Sequence, residues 1–589
     1  MRQQDFAKPA AAAGSNDLLQ TRGTSAHLFS RADEGLTLPA FFDAAVRRFS
    51  TRPAIEFYGR NYTYGEIGRL IDRFSSGLAA IGVKKGTRLG LCLPNTPYSM
   101  ICYFAALKAG AIVVNFNPLY TGRELLAQIR DSGAEIMVTL DLQAAYENLG
   151  HIVSESGLRH VIVCPMADAL PPAKGLAFRL LKRSEKAAIP RDGVHISYDT
   201  VMRRGRGRPL PAIALSPDDI AVLQYTGGTT GVSKGAMLSH AALISNARQM
   251  ITHQGSDMLR EGVETIVGVL PLFHVFAMTV IMLLAIEIGA LQILVPRFNR
   301  DELIALMEKR RPTLFPAVPT IYSAINAVAM TRKIDITSLR LCISGGAPLP
   351  YEVRAQFEKL TGCTLCEGYG LTECSPVVSV NPFDGSAVRD GSAGKALPGT
   401  IVEIHDPDQP DRILATGERG EVWVRGPQNM SGYWNRTAET AATLVGDAVR
   451  TGDIGYLDQD GYLFLVDRIK DLIICGGYNV YPRVIEEALY EHDSVAEAVV
   501  IGVPDPYRGE SPKAFVTIRP GNAVTPETLQ AFLAERLSKI ERPKAIEIRD
   551  SLPKTLIGKL SKKELIEEER NAHLCRQDEA DRRPAHVDA

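Results

Sequence analysis

The chain has no uninterrupted apolar run of the roughly 20 residues that a bilayer-spanning helix needs. Its most apolar stretch, "MTVIMLLAIEIGALQILV" (Met278–Val295), is broken by Glu287, Gly289 and Gln292. It reads as a buried helix, a turn and a strand. A charge surplus is missing too: 66 Lys and Arg stand against 67 Asp and Glu, a formal net charge of -1. Nothing global draws such a protein to nucleic acid or to an anionic membrane. Cysteine is sparse, at nine in 589 residues. Only Cys363 and Cys366 are spaced as CxxC, and no second pair completes a zinc site. Buried, reduced thiols in a cytosolic protein are the expectation. The opening "MRQQDFAKPAAAAGSNDLLQ" lacks an apolar core of signal-peptide length, and residues 1–35 read as a loose leader. A G-x-x-x-x-G-K-[ST] phosphate loop is absent, which counts against a P-loop phosphotransferase. No repeat period of the solenoid kind is found.

What is present is length, 45% hydrophobic residues and an alternating pattern. So long a chain exceeds what one core organises, so at least two domains are expected. "LPAFFDAAVRRF" and "TYGEIGRLIDRFSSGLAAIG" space their apolar residues as helices, while "RLGLCL", "AIVVNF" and "EIMVTL" are buried-strand runs. "SMICYFAALKAGA" reads as a helix closed by Gly110. The alternation resumes with "IAVLQYT", "ETIVGVLPL", "LQILVP", "LRLCISGG" and "TLCEGYGLTE". The fold class is therefore α/β: a large N-terminal domain (36–469) of mainly parallel sheets flanked by helices. After "DRIKDLIICGGYNVYP" the texture changes to a small, mobile α+β C-terminal domain (470–570), with 571–589 as a frayed polar tail. The basic stretch 176–208 reads as a solvated surface excursion. The sharper alternative is weak contact with anionic headgroups through the Phe178–Leu181 face.

One loop invites chemistry. "YTGGTTGVSKGAMLSH" (Tyr225–His240) sets Gly227, Gly228, Gly231 and Gly235 among Thr226, Thr229, Thr230 and Ser233, with Lys234 as the only cation. Glycines let backbone N–H groups turn toward an anion, hydroxyls add donors, and the ammonium adds a point charge. A phosphate-gripping loop between a strand and a helix starting near Ser239 is the direct physical reading. Further along stand "LPLFHVFAM" with His274 among Phe273, Val275 and Phe276, "ISGGAPL", "EGYGLTE", "RTGDIGYLDQDGYLFLVDRIKD" and "LPKTLIGKLSK".

In this order and spacing, from about Leu38 to Ile566, these motifs resemble the adenylate-forming superfamily of acyl-CoA synthetases, aryl ligases, luciferases and adenylation domains. "LQYTGGTTGVSKGAMLSH", "EGYGLTECSPVVSVNP" and "VDRIKDLIICGGYNVYP" make bacterial long-chain fatty-acid–CoA ligases the nearest group in resemblance. The resemblance implies ATP, Mg2+ and coenzyme A, and a two-step reaction: a carboxylate attacks the α-phosphorus to give acyl-AMP, then the CoA thiol displaces AMP. It implies that Thr226–Gly235 covers the β- and γ-phosphates, that Thr226 reaches the acyl phosphate, and that Glu373 ligates Mg2+. Tyr369 would stack on adenine beside Gly345, Gly346 and Ala347, within a nucleotide-facing stretch that includes Glu367, Gly370 and Thr372. Asp453 and Arg468 would hold the ribose. Lys559 would neutralise charge on the bridging oxygen. Lys470 falls at the hinge position, and Gly476 and Gly477 in "CGGYN" form the loop that would replace Lys559 for the thiol step. Cys475 is given no catalytic role. His274 keeps two readings, a residue lining the acyl entrance with Phe273, Val275 and Phe276, or a satisfied core histidine. An acyl-AMP ligase serving a carrier protein is the alternative function, although "HDSVAE" around Ser494 lacks a carrier's glycine pair. A cytoplasmic enzyme is expected. Peripheral contact with the inner face of the cell membrane and a homodimer are both compatible with the sequence.

Overall fold

The computed structural model describes residues 35–209, 212–226, 233–254, 258–383, 385, 387–475, 478–505, 507–555 and 558–581. Most of the leader, the central loop residues Gly227, Gly228, Thr229, Thr230 and Gly231, and the pair Gly476 and Gly477 lie outside them.

Buried β-branched runs assemble into two large sheets. The first has seven strands in the order His195–Ser197, His160–Cys164, Ile136–Leu140, Arg88–Leu91, Ile112–Asn115, Ile220–Tyr225 and Gly235–Ser239. Every neighbouring pair is parallel except the last. The second has nine strands, with a parallel centre built from Thr364–Gly370, Leu341–Gly345, Leu314–Ala317, Thr265–Gly268, Leu291–Leu294 and Pro53–Phe57. Helix Pro97–Lys108 buries every residue from Pro97 to Leu107, so it is apolar all round, as an interior helix must be. The Tyr64 hydroxyl donates to the carbonyl oxygens of Ala285 (2.9 Å) and Ala290 (2.8 Å), pinning helix Tyr64–Ala80 to the second sheet.

The apolar stretch from Met278 takes the expected order of helix, turn and strand. Its first part, Met278–Leu283, is a six-residue π-helix that no apolar periodicity announces. A third sheet was also not anticipated. Ile401–His405, Gly420–Arg425, Ala448–Leu457, Leu444–Val445 and Leu463–Arg468 are all antiparallel.

The small C-terminal unit has its own sheet, including Ile473–Cys475, Val495–Asp505, Gly509–Ile518 and Ala545–Ile548. Its own core gathers Ile485, Leu489, Val500, Val516, Leu529 and Leu533. Each such side chain stabilises by about 1.5–3 kcal/mol when fully buried, enough for an independent nucleus. The first part of the expected tail is helical, and 582–589 lie outside the described residues. Helix Lys563–Asp581 runs through that first part, because that stretch has neither Gly nor Pro and Leu565 is buried at its start.

In the basic excursion, helix Pro172–Leu181 turns Phe178 inward against the large core. The exposed apolar side chains are instead Leu176, Leu180 and Leu181, the last 80% exposed. The expected Phe178–Leu181 face is corrected accordingly. Among the described residues no helix is long and apolar enough to cross a membrane. The described cysteines outside the terminal helix are free and buried. The close pair is not the CxxC: Cys363 Sγ lies 3.4 Å from Cys342 Sγ, and Cys366 bonds the Pro382 carbonyl.

Candidate active site

The glycine loop is a hairpin, not a strand-to-helix turn. Strand Gly235–Ser239 pairs antiparallel with Ile220–Tyr225, and the helix begins only at His240. The cause is legible in burial: Ala236 and Leu238 alternate into the core, which demands a strand before the helix. The neck of the loop is closed by Thr226 N–H donating to Lys234 O (2.9 Å) and by the Ser233 hydroxyl donating to Thr226 O (2.5 Å). Gly231-x-Ser233-x-Gly235 has the spacing of a nucleophile elbow. Ser233, however, spends its proton on this hairpin neck rather than standing on a strand-to-helix elbow, which argues against a serine hydrolase.

Along the far side of that strand runs 430–434. Met237 N–H donates to Gly432 O and Trp434 N–H to Gly235 O, both at 2.8 Å. This docking brings Tyr433 into the site. Its hydroxyl donates to Glu373 Oε1 (2.6 Å), and Lys234 Nζ lies 5.1 Å from the centre of its ring. Tyr433 was missed in the sequence; its signal was the aromatic pair after a glycine in "SGYWN", where Gly432 takes φ +133°. Glu373 follows strand Thr364–Gly370 in the short turn Thr372–Cys374. Gly370 is backed by Pro376 so closely that an added Cβ would lie 2.1 Å from its carbonyl oxygen.

The third sheet delivers Asp453 and Arg468 as register partners on adjacent strands. Asp453 is nearly buried and fully engaged: Tyr369 Oη donates to Oδ2 at 2.5 Å and Arg468 Nε to Oδ1 at 3.0 Å. Glu367, on the same strand as Tyr369, points toward the small domain. Its carboxylate is 4.0 Å from Arg483 Nη2, and burial raises its pKa to about 7 despite that cation. Lys470 occupies the short turn Ile469–Asp471 that follows Arg468, and burial and the Arg468 charge lower its pKa.

Lys559 enters from the small domain. Its turn is closed internally, Thr555 N–H donating to Lys559 O at 2.6 Å, and is tied across the lobes by Thr320 Oγ1 donating to Gly558 O at 2.8 Å. The side chain then crosses Gly346. That residue has φ +84°, and a Cβ there would stand 2.4 Å from Lys559 Cε. Only glycine meets both conditions. Burial first, and then the Arg468 charge, push the Lys559 pKa down to about 8. Ala347 follows in the same turn, and Gly345 leaves room for the Phe276 ring, which an added Cβ would meet at 3.0 Å.

His274 has a settled local job. Its Nδ1 accepts the Phe276 N–H (3.3 Å), capping the short helix Val275–Ala277. Burial and the nearby Lys559 charge depress its pKa to about 3, so it is neutral. Val275 is buried in the core, whereas Phe273 lines a small cavity of about 20 Å³ with Leu272, Met282 and Tyr103. Two amides clamp this segment, Gln224 on strand Ile220–Tyr225 and Asn95 in the loop between strand Arg88–Leu91 and helix Pro97–Lys108. Asn95 Nδ2 donates to Gly268 O and Leu270 O while Leu272 N–H donates back to Oδ1, and Gln224 Nε2 donates to Phe273 O at 2.9 Å. Neither amide stands out in the sequence.

Side chains from three sheets of the large unit and one lysine from the smaller unit thus gather around Gly346, Tyr369 and Asp453, in a two-lobed α/β enzyme. Residues 42–434 match the AMP-binding enzyme family and residues 484–559 its C-terminal domain, and the chain belongs to the AMP-binding enzyme family. A long-chain-fatty-acid–CoA ligase of Bacillus subtilis is 40% identical over 91% of this chain and 95% of its own length. A 4-coumarate–CoA ligase of Humulus lupulus is 31% identical over 90% and 93%. Among solved structures, ATP-bound MatB from Rhodopseudomonas palustris superposes with a TM-score of 0.78, at 28% identity, covering 91% of this chain and all of that one.

Proposed function

We propose that the protein is an AMP-forming long-chain fatty-acid–CoA ligase: fatty acid, ATP and CoA give acyl-CoA, AMP and pyrophosphate. The observation that carries the reading is Lys559, reaching from a separate lobe across Gly346 into the cleft that holds Asp453 and Arg468. The substrate class is supported by the fatty-acid ligases among its relatives. In this reading Tyr369 offers its ring to adenine, and Asp453, fixed by Tyr369 and Arg468, accepts from the ribose hydroxyls. The Thr226–Gly235 loop with Lys234 grips the phosphates. Lys559 meets the charge that grows on the bridging oxygen as the acyl carboxylate attacks phosphorus. Neutral His274 and Phe273 line the path of the acyl chain.

A divalent cation fits the donor set. Glu373 offers one carboxylate oxygen while Tyr433 holds the other, and Mg2+ is bound typically by one or two carboxylates together with substrate phosphates. When bound, it neutralises charge on those phosphates. The domain seam is placed at Lys470, with 36–469 as the large domain. Gly476 and Gly477 serve the thiol step.

The deciding experiment measures AMP release, with and without CoA, across fatty acids from short to long. CoA-dependent release favouring long chains supports the reading. Acyl-AMP that accumulates and is not discharged by CoA makes the enzyme a carrier-loading acyl-AMP ligase instead.

Two further outcomes are expected. Tyr433→Phe keeps the ring near Lys234 but frees Glu373, so the Mg2+ requirement rises about tenfold, as when a ligand's supporting partner is lost; an Mg2+ titration of adenylation reads this, and an unchanged midpoint contradicts it. Because the Lys559 pKa is held near 8 in the free enzyme, kcat/KM for adenylation falls about tenfold per pH unit above 8. The kcat holds to higher pH, since bound phosphates restore the proton. A flat kcat/KM up to pH 10 removes the assignment.

Peripheral membrane contact belongs to the same proposal, with Leu176, Leu180 and Leu181 as the apolar face beside Lys182 and Arg183. Neutralising both cations removes about 2 kcal/mol, a roughly 30-fold loss of binding to anionic liposomes. Unchanged sedimentation with the liposomes refutes this contact.

A further inference from the structure

Away from the catalytic cleft, the turn that ends helix Tyr198–Gly205 meets helix Tyr64–Ala80 and encloses a cleft of about 290 Å³. That is roughly ten water volumes. Four arginines line it, Arg69, Arg73, Arg206 and Arg208, against a single acidic residue, Asp72. That carboxylate shares Lys108 with Asp43, at 2.7 Å from Asp72 and 2.8 Å from Asp43, so the three-group cluster keeps one net negative charge beside four arginines. Arg73 is partly committed, its Nε donating to the Met202 carbonyl at 2.7 Å. Among the described residues no carboxylate pairs with Arg69, Arg206 or Arg208.

The walls are built tightly. A Cβ on Gly205 would stand 1.9 Å from Arg73 O, and one on Gly77 would stand 2.2 Å from Val201 O. Gly207, at φ +72°, lets the chain turn between Arg206 and Arg208, so both arise from one short bend. Like charges gathered in one concavity repel each other, and here a single carboxylate, sharing Lys108 with Asp43, stands against four arginines. Guanidiniums bind tetrahedral oxyanions through paired N–H groups, and several around one cleft suit an anion carrying more than one negative charge.

We propose that this cleft is a binding site for a phosphomonoester or pyrophosphate group, separate from the nucleotide cleft. The chemistry is shared by a soluble anion, such as the pyrophosphate the reaction would release, and by a phosphomonoester lipid headgroup. The cleft's size and its surplus of three unpaired guanidiniums fit either.

The test compares the full-length wild-type enzyme with Arg206→Ala/Arg208→Ala. Both positions are exposed and unpaired, so the variant keeps its fold and its thioester-forming rate, and matching thermal midpoints verify this. Equilibrium dialysis with inorganic pyrophosphate counts bound equivalents. Sedimentation with phosphatidylcholine vesicles, with and without phosphatidic acid, reads the lipid arm. The expected result is one pyrophosphate equivalent lost, or at least tenfold weaker binding of phosphatidic-acid vesicles; the first assigns the soluble source and the second the lipid. Equal stoichiometry together with equal vesicle binding in the two proteins overturns the proposal.

Discussion

Lys559→Ala should abolish adenylation while leaving thioester formation from supplied acyl-AMP within about threefold of normal. The ammonium is delivered by the small lobe, held by the Thr555 turn and the Thr320–Gly558 hydrogen bond, and enclosed by Gly346. Among the described residues Lys559 is the small-domain cation that lies over Gly346, so cutting back its side chain removes the charge there. Removing one preorganised donor to a developing oxyanion costs about 100- to 1,000-fold, and a full charge in a desolvated cleft belongs at the upper end. The second half-reaction makes no use of the bridging oxygen, since pyrophosphate has already left. ATP–pyrophosphate exchange reads the first half, and CoA consumption with synthetic acyl-AMP reads the second. Equal losses in both would mean that Lys559 supports the fold rather than the chemistry. Gly346→Ala is the companion: its methyl would occupy the space of Lys559 Cε, so it displaces the ammonium without deleting it. It should reproduce the same split at smaller size, and a loss confined to stability would separate the two explanations.

The parallel sheets and the small α+β unit were legible because burial dictates their patterns. Runs such as "AIVVNF" and "EIMVTL" are buried on both faces, and the small core repeats at helical and strand spacing. The cleft residues were legible for a different reason. Gly346 is forced by its φ and by Lys559, and such constraints leave glycines at fixed places in a motif. What stayed hidden depends on long-range pairing. Tyr433 lies 60 residues from the carboxylate it holds, and only the docking of 430–434 on strand Gly235–Ser239 brings them together. Asn95 and Gln224 act through backbone carbonyls, which carry no sequence signal. The helix start expected near Ser239 falls at His240, but the five-residue strand Gly235–Ser239 before it went unread, too short to stand out beside the strong helical run behind it. Glu367 was grouped with the nucleotide, but its carboxylate faces Arg483, a partner more than 100 residues away whose lobe could not be placed from sequence.

Lys470→Pro should produce the opposite split, a thioester step slowed at least about tenfold with adenylation retained within a few-fold. Lys559 lies over Gly346, and in the proposed exchange it withdraws before the thiol step. Among the contacts that join the lobes are three that this exchange disturbs: the Thr320–Gly558 hydrogen bond, the Arg483–Glu367 pair and Lys559 over Gly346. All three contacts must break for Gly476 and Gly477 to take the lysine's place. The chain between the cores is short: strand Leu463–Arg468 ends one residue before the turn Ile469–Asp471, and Ile473–Cys475 already belongs to the small sheet. Rotation must therefore be absorbed by backbone dihedrals within that turn, and proline locks φ near −65° at its centre. A 3-10 turn tolerates that φ, so the starting arrangement survives and only the exchange is obstructed. Protonation offers an independent lever on the same step. Burial raises the Glu367 pKa to about 7, so acidification below that value neutralises the carboxylate that faces Arg483 and loosens one of the three fastenings. In Lys470→Pro a pH drop from 8 to 6 should leave the thioester step slow, because the obstruction lies in the hinge and not in the seam. Single-turnover discharge of acyl-AMP by CoA at both pH values measures this. Wild-type rates in the variant, or recovery at pH 6, would move the pivot away from Lys470.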